Sequence, residues 1–176
     1  MTNISEALQT ALTYHQSGKL QKAESIYHQI LQENPNHPDA LNLSGLISHQ
    51  TGNNIKAAEL INKAILNSPK NPDYYYNLGI VLSALGKWEE AIQAYRQTLR
   101  HKPDSFETFN NLGNILREHG DTESAIEIYK KALTLKPDCV EVWNNLGNVL
   151  KEKGQIENAI ENYKKAIQIK PDYAEA

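Results

Sequence analysis

The residues that most strongly interrupt regular backbone all obey one spacing in this chain. Gly18, Gly52, Gly86, Gly120 and Gly154 lie 34 residues apart, and so do Gly45, Gly79, Gly113 and Gly147. These two series use all nine glycines. Pro35, Pro69, Pro103, Pro137 and Pro171 keep the same interval, and the two remaining prolines, Pro38 and Pro72, are also 34 apart. Glycine and proline punctuate secondary structure, so a period shared by both marks a chain built from one repeated unit rather than from a single irregular core.

Within each period the apolar spacing predicts helix, turn, helix. In residues 106–139, Phe109, Leu112 and Leu116 form one stripe, Gly120 marks a break, and Ala125, Ile128, Tyr129 and Ala132 form a second stripe closed by Pro137. The i, i+3, i+4 and i+7 intervals are those of helices that bury one face. Asn71 before Pro72 and Ser105 before Phe106 are expected N-caps. No alternating strand pattern competes. The expected fold class is therefore all-α, an α-solenoid of antiparallel helix pairs. Residues 1–176 are read as a single solenoid with repeats at 4–37, 38–71, 72–105, 106–139 and 140–173, and 174–176 as the start of a further repeat.

These residues resemble the tetratricopeptide repeat family, whose signature runs large aromatic, Leu-Gly, large apolar, Ala, aromatic, Ala and Pro. The fifth repeat carries it as Trp143, Leu146, Gly147, Leu150, Ala159, Tyr163, Ala166 and Pro171, and the fourth as Phe109, Leu112, Gly113, Leu116, Ala125, Tyr129, Ala132 and Pro137. The third departs only at Thr98; the second has Ser44 and Ile61 at signature places, and the first, with Ala7, Thr10 and Ala11, reads as an atypical terminal unit. The resemblance implies a right-handed superhelix whose first helices line a concave face. Small Gly113 and Ala125 then permit close approach of the two helices of a unit, and Tyr129 and Leu133 fill the space toward neighbouring helices.

Asparagine is a poor helix former, yet "NNLGN" occurs twice inside first helices. Asn110, Asn111 and Asn114, and again Asn144, Asn145 and Asn148, lie on one side of their helix, opposite the Leu-Gly packing face. By resemblance this side faces the groove. Asn77, Asn111 and Asn145 form a column with one member per repeat, and a carboxamide offers both an acceptor and two donors to a peptide backbone. Such a ladder resembles the repeat arm of the O-linked N-acetylglucosamine transferases and their bacterial relatives. The alternative is that these asparagines only tie neighbouring helices together. Toward the amino terminus the same face turns more apolar: Ile80, Leu46 and Leu12 stand at the place of Asn114 and Asn148, and Tyr76, Asn42 and Leu8 at that of Asn110 and Asn144. The expected peptide-binding residues are thus Asn42, Tyr76, Asn77, Ile80, Asn110, Asn111, Asn114, Asn144, Asn145 and Asn148.

Other chemistry finds little support. A formal charge of −3 supplies no basic field for nucleic acid. No apolar run approaches the ~20 residues of a membrane helix, and the single Cys139 cannot form an internal disulfide, so a cytoplasmic setting is the expectation. His15 and His49 share a repeat place but would stand on neighbouring helices about 10 Å apart, too far to share one metal. The carboxylate clamp of chaperone-binding repeats needs Lys and Arg on the groove, where this chain has Leu8, Leu12, Asn42, Tyr76 and Asn110. Asp39, Asp73, Glu107 and Glu141 sit in first turns, where they favour the helix dipole. No catalytic residue, metal or cofactor is expected.

The expected function is that of a non-enzymatic module holding an extended peptide or protein segment. One alternative is an amino-terminal recognition arm of a larger glycosyltransferase or sulfotransferase. The other is a scaffold that self-associates through uncapped ends, because Ile156, Ile160, Tyr163 and Ile167 of the last helix lack a following partner.

Overall fold

The computed structural model describes residues 3–172. They form ten α-helices: α1 (Ile4–Gln16), α2 (Leu20–Glu33), α3 (Pro38–Gln50), α4 (Asn54–Asn67), α5 (Pro72–Ala84), α6 (Trp88–His101), α7 (Phe106–Glu118), α8 (Thr122–Leu135), α9 (Val140–Glu152) and α10 (Ile156–Ile169). There is no strand among the described residues. The expectation for 174–176 lies outside them.

The helix ends are written locally. Asn71 Oδ1 accepts from the Asp73 amide at 3.0 Å, and Pro72 at the first helical position lacks the amide that would otherwise need a partner. Ser105 Oγ accepts from the Thr108 amide at 3.4 Å, and Asp121 from the Ser124 amide at 3.1 Å. At the other end of α7 the chain turns through Gly120 at φ +81°. The Asp121 amide then donates back to the Leu116 carbonyl at 2.9 Å and the Gly120 amide to the Arg117 carbonyl at 3.0 Å, which closes the last carbonyls of the helix.

The chain divides into two compact units, Met1–His101 and Lys102–Ala176. In the first, each helix from α1 to α6 packs on the next and α3 also touches α5. Its core includes Ala11, Ala23, Tyr27, Ile47, Ile61, Val81 and Tyr95. In the second, α7 packs on α8, α8 on α9 and α9 on α10, and α7 touches α9 around buried Leu112, Tyr129, Val142 and Val149. Burial of such side chains contributes roughly 1.5–3 kcal/mol each, and it is what makes the polar, moderately helical sequence hold its helices.

Glycine and tyrosine form one packing device. A Cβ on Gly79 would lie 2.5 Å from the Tyr95 ring, one on Gly113 2.6 Å from Tyr129, and one on Gly147 2.5 Å from Tyr163. Each ring occupies the space that the first helix leaves by having no side chain there. In the second repeat Ile61 takes the tyrosine's place, with its Cγ1 2.7 Å from a Cβ on Gly45.

Tyr27 is fully buried and its hydroxyl has no hydrogen-bond partner among the described residues, while burial pushes its pKa up to about 12. An unpaired buried hydroxyl is a cost, so Tyr27→Phe is expected to leave stability unchanged or raise it by up to ~1 kcal/mol. Urea unfolding of the variant checks this.

Candidate functional site

The asparagine-bearing faces lie on the first helices of each unit, and the side chains there are already partly engaged. In the first unit, Asn77 of α5 donates from Nδ2 to Asn42 Oδ1 of α3 at 3.0 Å. Asn42 is buried, at 6% exposure, whereas Asn77 is half-buried. Tyr76 and Ile80, on the same helix, are also half-buried. The Tyr76 ring lies 6.0 Å from that of Tyr95, tilted by 55°. A second tie runs from the Tyr74 hydroxyl to the Asp39 carboxylate, again from α5 to α3. Burial, then the bond to Asp39, raises the Tyr74 pKa well above the ordinary phenol value. Asp39 thus does more than favour the dipole of its own helix: it accepts a bond from the next repeat.

In the second unit, Asn114 of α7 is a junction. Its Oδ1 accepts from the Tyr129 hydroxyl at 2.7 Å and from Asn145 Nδ2 of α9 at 3.2 Å. Asn148 repeats half of this pattern, accepting from the Tyr163 hydroxyl at 2.9 Å. Asn110, Asn111, Asn114, Asn145 and Asn148 are half-buried, and Asn144 is buried at 5% exposure. The Oδ1 atoms of Asn110 and Asn144 find no donor among the described residues. The two tyrosines are the residues that the sequence reading placed only in the packing, although each also fixes an asparagine. Their periodic partnership, one Tyr 15 residues after each Asn, was the available signal.

Four family models match the chain. A tetratricopeptide repeat model matches residues 72–105 and 140–173, a second 14–75 and a third 94–127; a model described as TPR repeat matches 113–154. Together they run without a gap from residue 14 to residue 173. The chain is a tetratricopeptide repeat protein. No curated protein matches it in sequence.

Solved tetratricopeptide repeat structures share the fold across nearly its full length. A crystal structure of MamA is 22% identical with a TM-score of 0.87, covering 94% of this chain and 97% of the other. The MamA RS-1 ArsTM double mutant, 18% identical, has a TM-score of 0.89 over 99% and 98%. YrrB, described as a TPR protein with an unusual peptide-binding site, is 21% identical with a TM-score of 0.86 over 98% and 89%. At these identities the likeness is one of fold. As a tetratricopeptide repeat protein the chain is a protein–protein interaction module.

The repeats also form a surface that the sequence did not suggest. Second helices α8 and α10 flank an open cleft of about 770 Å³ in the second unit, floored by Trp143, Leu146 and Leu150 of α9. The Trp143 indole N–H donates to the Pro137 carbonyl at 2.8 Å, which fixes the ring there. Asn162 lines the cleft at the place where earlier repeats have Ile26, Leu60, Ala94 and Ile128, and that polar exchange was its only sequence signal.

At the rim, Lys153 Nζ lies 2.7 Å from Glu123 Oε1. The Lys153 hydrogen bond, then that from Thr122, holds the Glu123 carboxyl down to about 2 from an ordinary 4.5. Because the folded value is the lower one, this pair favours the fold above pH 4.5 and the benefit is lost as pH falls toward 2. Both side chains are substantially exposed, which keeps the effect small. In Lys153→Gln, NMR titration is expected to show the Glu123 midpoint moving up toward 4.5.

The histidines of the first unit are used locally. His15 Nε2 lies 3.0 Å from Gln50 Oε1, and His49 Nδ1 lies 2.6 Å from Asn54 Oδ1. Among the described residues no group of three or more His, Cys, Asp or Glu is placed to hold a metal, and no helix is long and apolar enough to cross a membrane.

Proposed function

We propose that each unit binds an extended peptide or protein segment along the face of its first helices. In the first unit, Tyr76 and Ile80 supply apolar contact and Asn77 a polar one. In the second, Asn110, Asn111, Asn114, Asn145 and Asn148 supply a polar surface. Buried Asn42 acts as a positioning residue behind Asn77, and buried Asn144 lies behind the polar surface of the second unit.

The observation that carries the reading is the pairing of Asn77 with Asn42 and of Asn145 with Asn114. One N–H of each donor carboxamide is taken by the neighbouring repeat, which fixes the orientation of the side chain. A carboxamide has a second N–H and an acceptor oxygen, so a fixed one presents a donor and an acceptor together. Every peptide unit has the complementary pair. Binding to preoriented groups loses less side-chain freedom than binding to mobile ones. This reading is of main-chain recognition, with side-chain selectivity near Tyr76 and Ile80. YrrB, which shares the fold, is described as having a peptide-binding site, a ligand of the same class.

Photocrosslinking tests it. A benzophenone amino acid replaces Tyr76 on α5, Asn111 on α7, or Lys130 on the α8 side of the cleft, and each variant is exposed to random-sequence peptides. Capture at Tyr76 and Asn111 but not at Lys130 is expected. Capture at Lys130 alone would assign binding to the cleft instead.

A further inference from the structure

The repeat place that carries Asn114 and Asn148 in the second unit carries Leu12, Leu46 and Ile80 in the first. Three ties show how these residues stand. His15 Nε2 of α1 lies 3.0 Å from Gln50 Oε1 of α3, and from α5 to α3 Tyr74 donates to Asp39 and Asn77 to Asn42. Each tie joins residues 35 apart, so equivalent residues of successive first helices lie side by side. Leu12 is three residues from His15, Leu46 four from both Asn42 and Gln50, and Ile80 three from Asn77, on the same side of each helix. All three are half-buried. They form an apolar row with one member per repeat, across helices whose axes stand about 8–10 Å apart.

The fold alone does not call for this row. Where the place holds asparagine, its Oδ1 accepts from the hydroxyl of the tyrosine 15 residues later, Tyr129 or Tyr163. Leu12 offers no acceptor. The hydroxyl of Tyr27, whose ring lies 6.2 Å from that of His15, is left buried and unpaired among the described residues. An unpaired buried donor weakens a fold, so leucine at this place works against stability.

We infer that the row holds a polyproline II segment with an apolar residue at every third position and basic residues between them. The inference rests on the reading that the first unit binds along this face, and it names the ligand. Polyproline II has three residues per turn, so every third side chain returns to one face after about 9.3 Å, the spacing of the row. A β-strand returns to one face after about 7 Å and again after about 13 Å, which misses the neighbouring member both times. A helix matches at seven residues, about 10.5 Å, but it closes its own backbone bonds. The backbone of polyproline II is open to the N–H and carbonyl of Asn77. Charge sets the residues between: α1, α3 and α5 contain no lysine or arginine. Asp39 and Asp73 lie seven residues before Leu46 and Ile80, two turns or about 10.5 Å along the same face, within reach of a long basic side chain beside the row.

Fluorescence anisotropy with the 176-residue chain tests this. The probes are a peptide of four Leu-Pro-Lys units and an isomer of the same composition with its leucines two residues apart. The first is expected to bind at least tenfold more tightly. Leu12→Asn, which gives Tyr27 an acceptor, should weaken that binding at least tenfold without lowering the melting temperature. Ile80→Asn, which sets an asparagine 15 residues before Tyr95, should do the same. Equal binding of the two isomers, or binding of neither, overturns the proposal. So does tighter binding of an alanine-rich helical peptide with leucines seven residues apart, or unchanged affinity in both variants. If random-sequence peptides are still captured at Tyr76 in any of these cases, the reading of the face stands and only its ligand falls; if they are not, both fall.

Discussion

Tyr129→Ala is expected to lower the stability of the second unit by about 3–5 kcal/mol, the range for removing a large buried aromatic side chain. The residue is fully buried, its ring fills the gap over Gly113, and its hydroxyl donates to Asn114 at 2.7 Å. Tyr129→Phe separates these roles. It keeps the ring and removes the bond, at an expected ~1 kcal/mol, because Asn114 still accepts from Asn145 and is not orphaned. Burial raises the Tyr129 pKa far above the ordinary phenol value, so the hydroxyl stays a donor across the physiological range. Tyr163→Ala, at the corresponding but only half-buried place, should cost less. Chemical denaturation of the three variants checks the order.

The second large effect is expected at Gly113. Alanine is ordinarily the better helix residue by up to ~1 kcal/mol. Here its Cβ would meet three atoms of the Tyr129 ring, at 2.6, 2.8 and 3.0 Å. The ring is buried and tethered by its hydroxyl, so it cannot swing aside. Overpacking of this kind costs about 1–3 kcal/mol, and a net loss is expected for Gly113→Ala despite the gain in propensity. The sign should reverse when the ring is absent. In a Tyr129→Ala background, Gly113→Ala is expected to stabilise. The unfolding midpoints of the four proteins in this cycle give the coupling directly.

Helices and turns were legible because glycine and proline mark them and both repeat on one period. The close glycine–tyrosine contact was half legible: Gly113 read as a place of close approach, but the sequence did not show that Tyr129 is what approaches. The asparagine bonds were less legible still. Asn77 reaches Asn42, whereas Asn145 reaches Asn114, one helical turn further along its helix. Leu46 stands where the second repeat would need an asparagine for Asn77 to bond as Asn145 does, so the hydrogen bonds change with the repeat although the period does not. A periodic reading averages over that difference. Side-chain bonding depends on which residue each neighbour carries, and that is settled only by packing.

The two roles open to the asparagines, ligand contact and scaffold, separate in one comparison. A peptide captured at Tyr76 or Asn111 is titrated by fluorescence anisotropy against the wild type, Asn77→Ala and the pair Asn111→Ala with Asn145→Ala, and the melting temperature of each is recorded. Loss of one neutral hydrogen bond per site removes about 1 kcal/mol of stability, a modest fall in melting temperature. Binding at the altered face should weaken at least tenfold, about 1.4 kcal/mol. Lower melting temperatures with unchanged peptide affinity would contradict the account and leave the asparagines as ties between repeats.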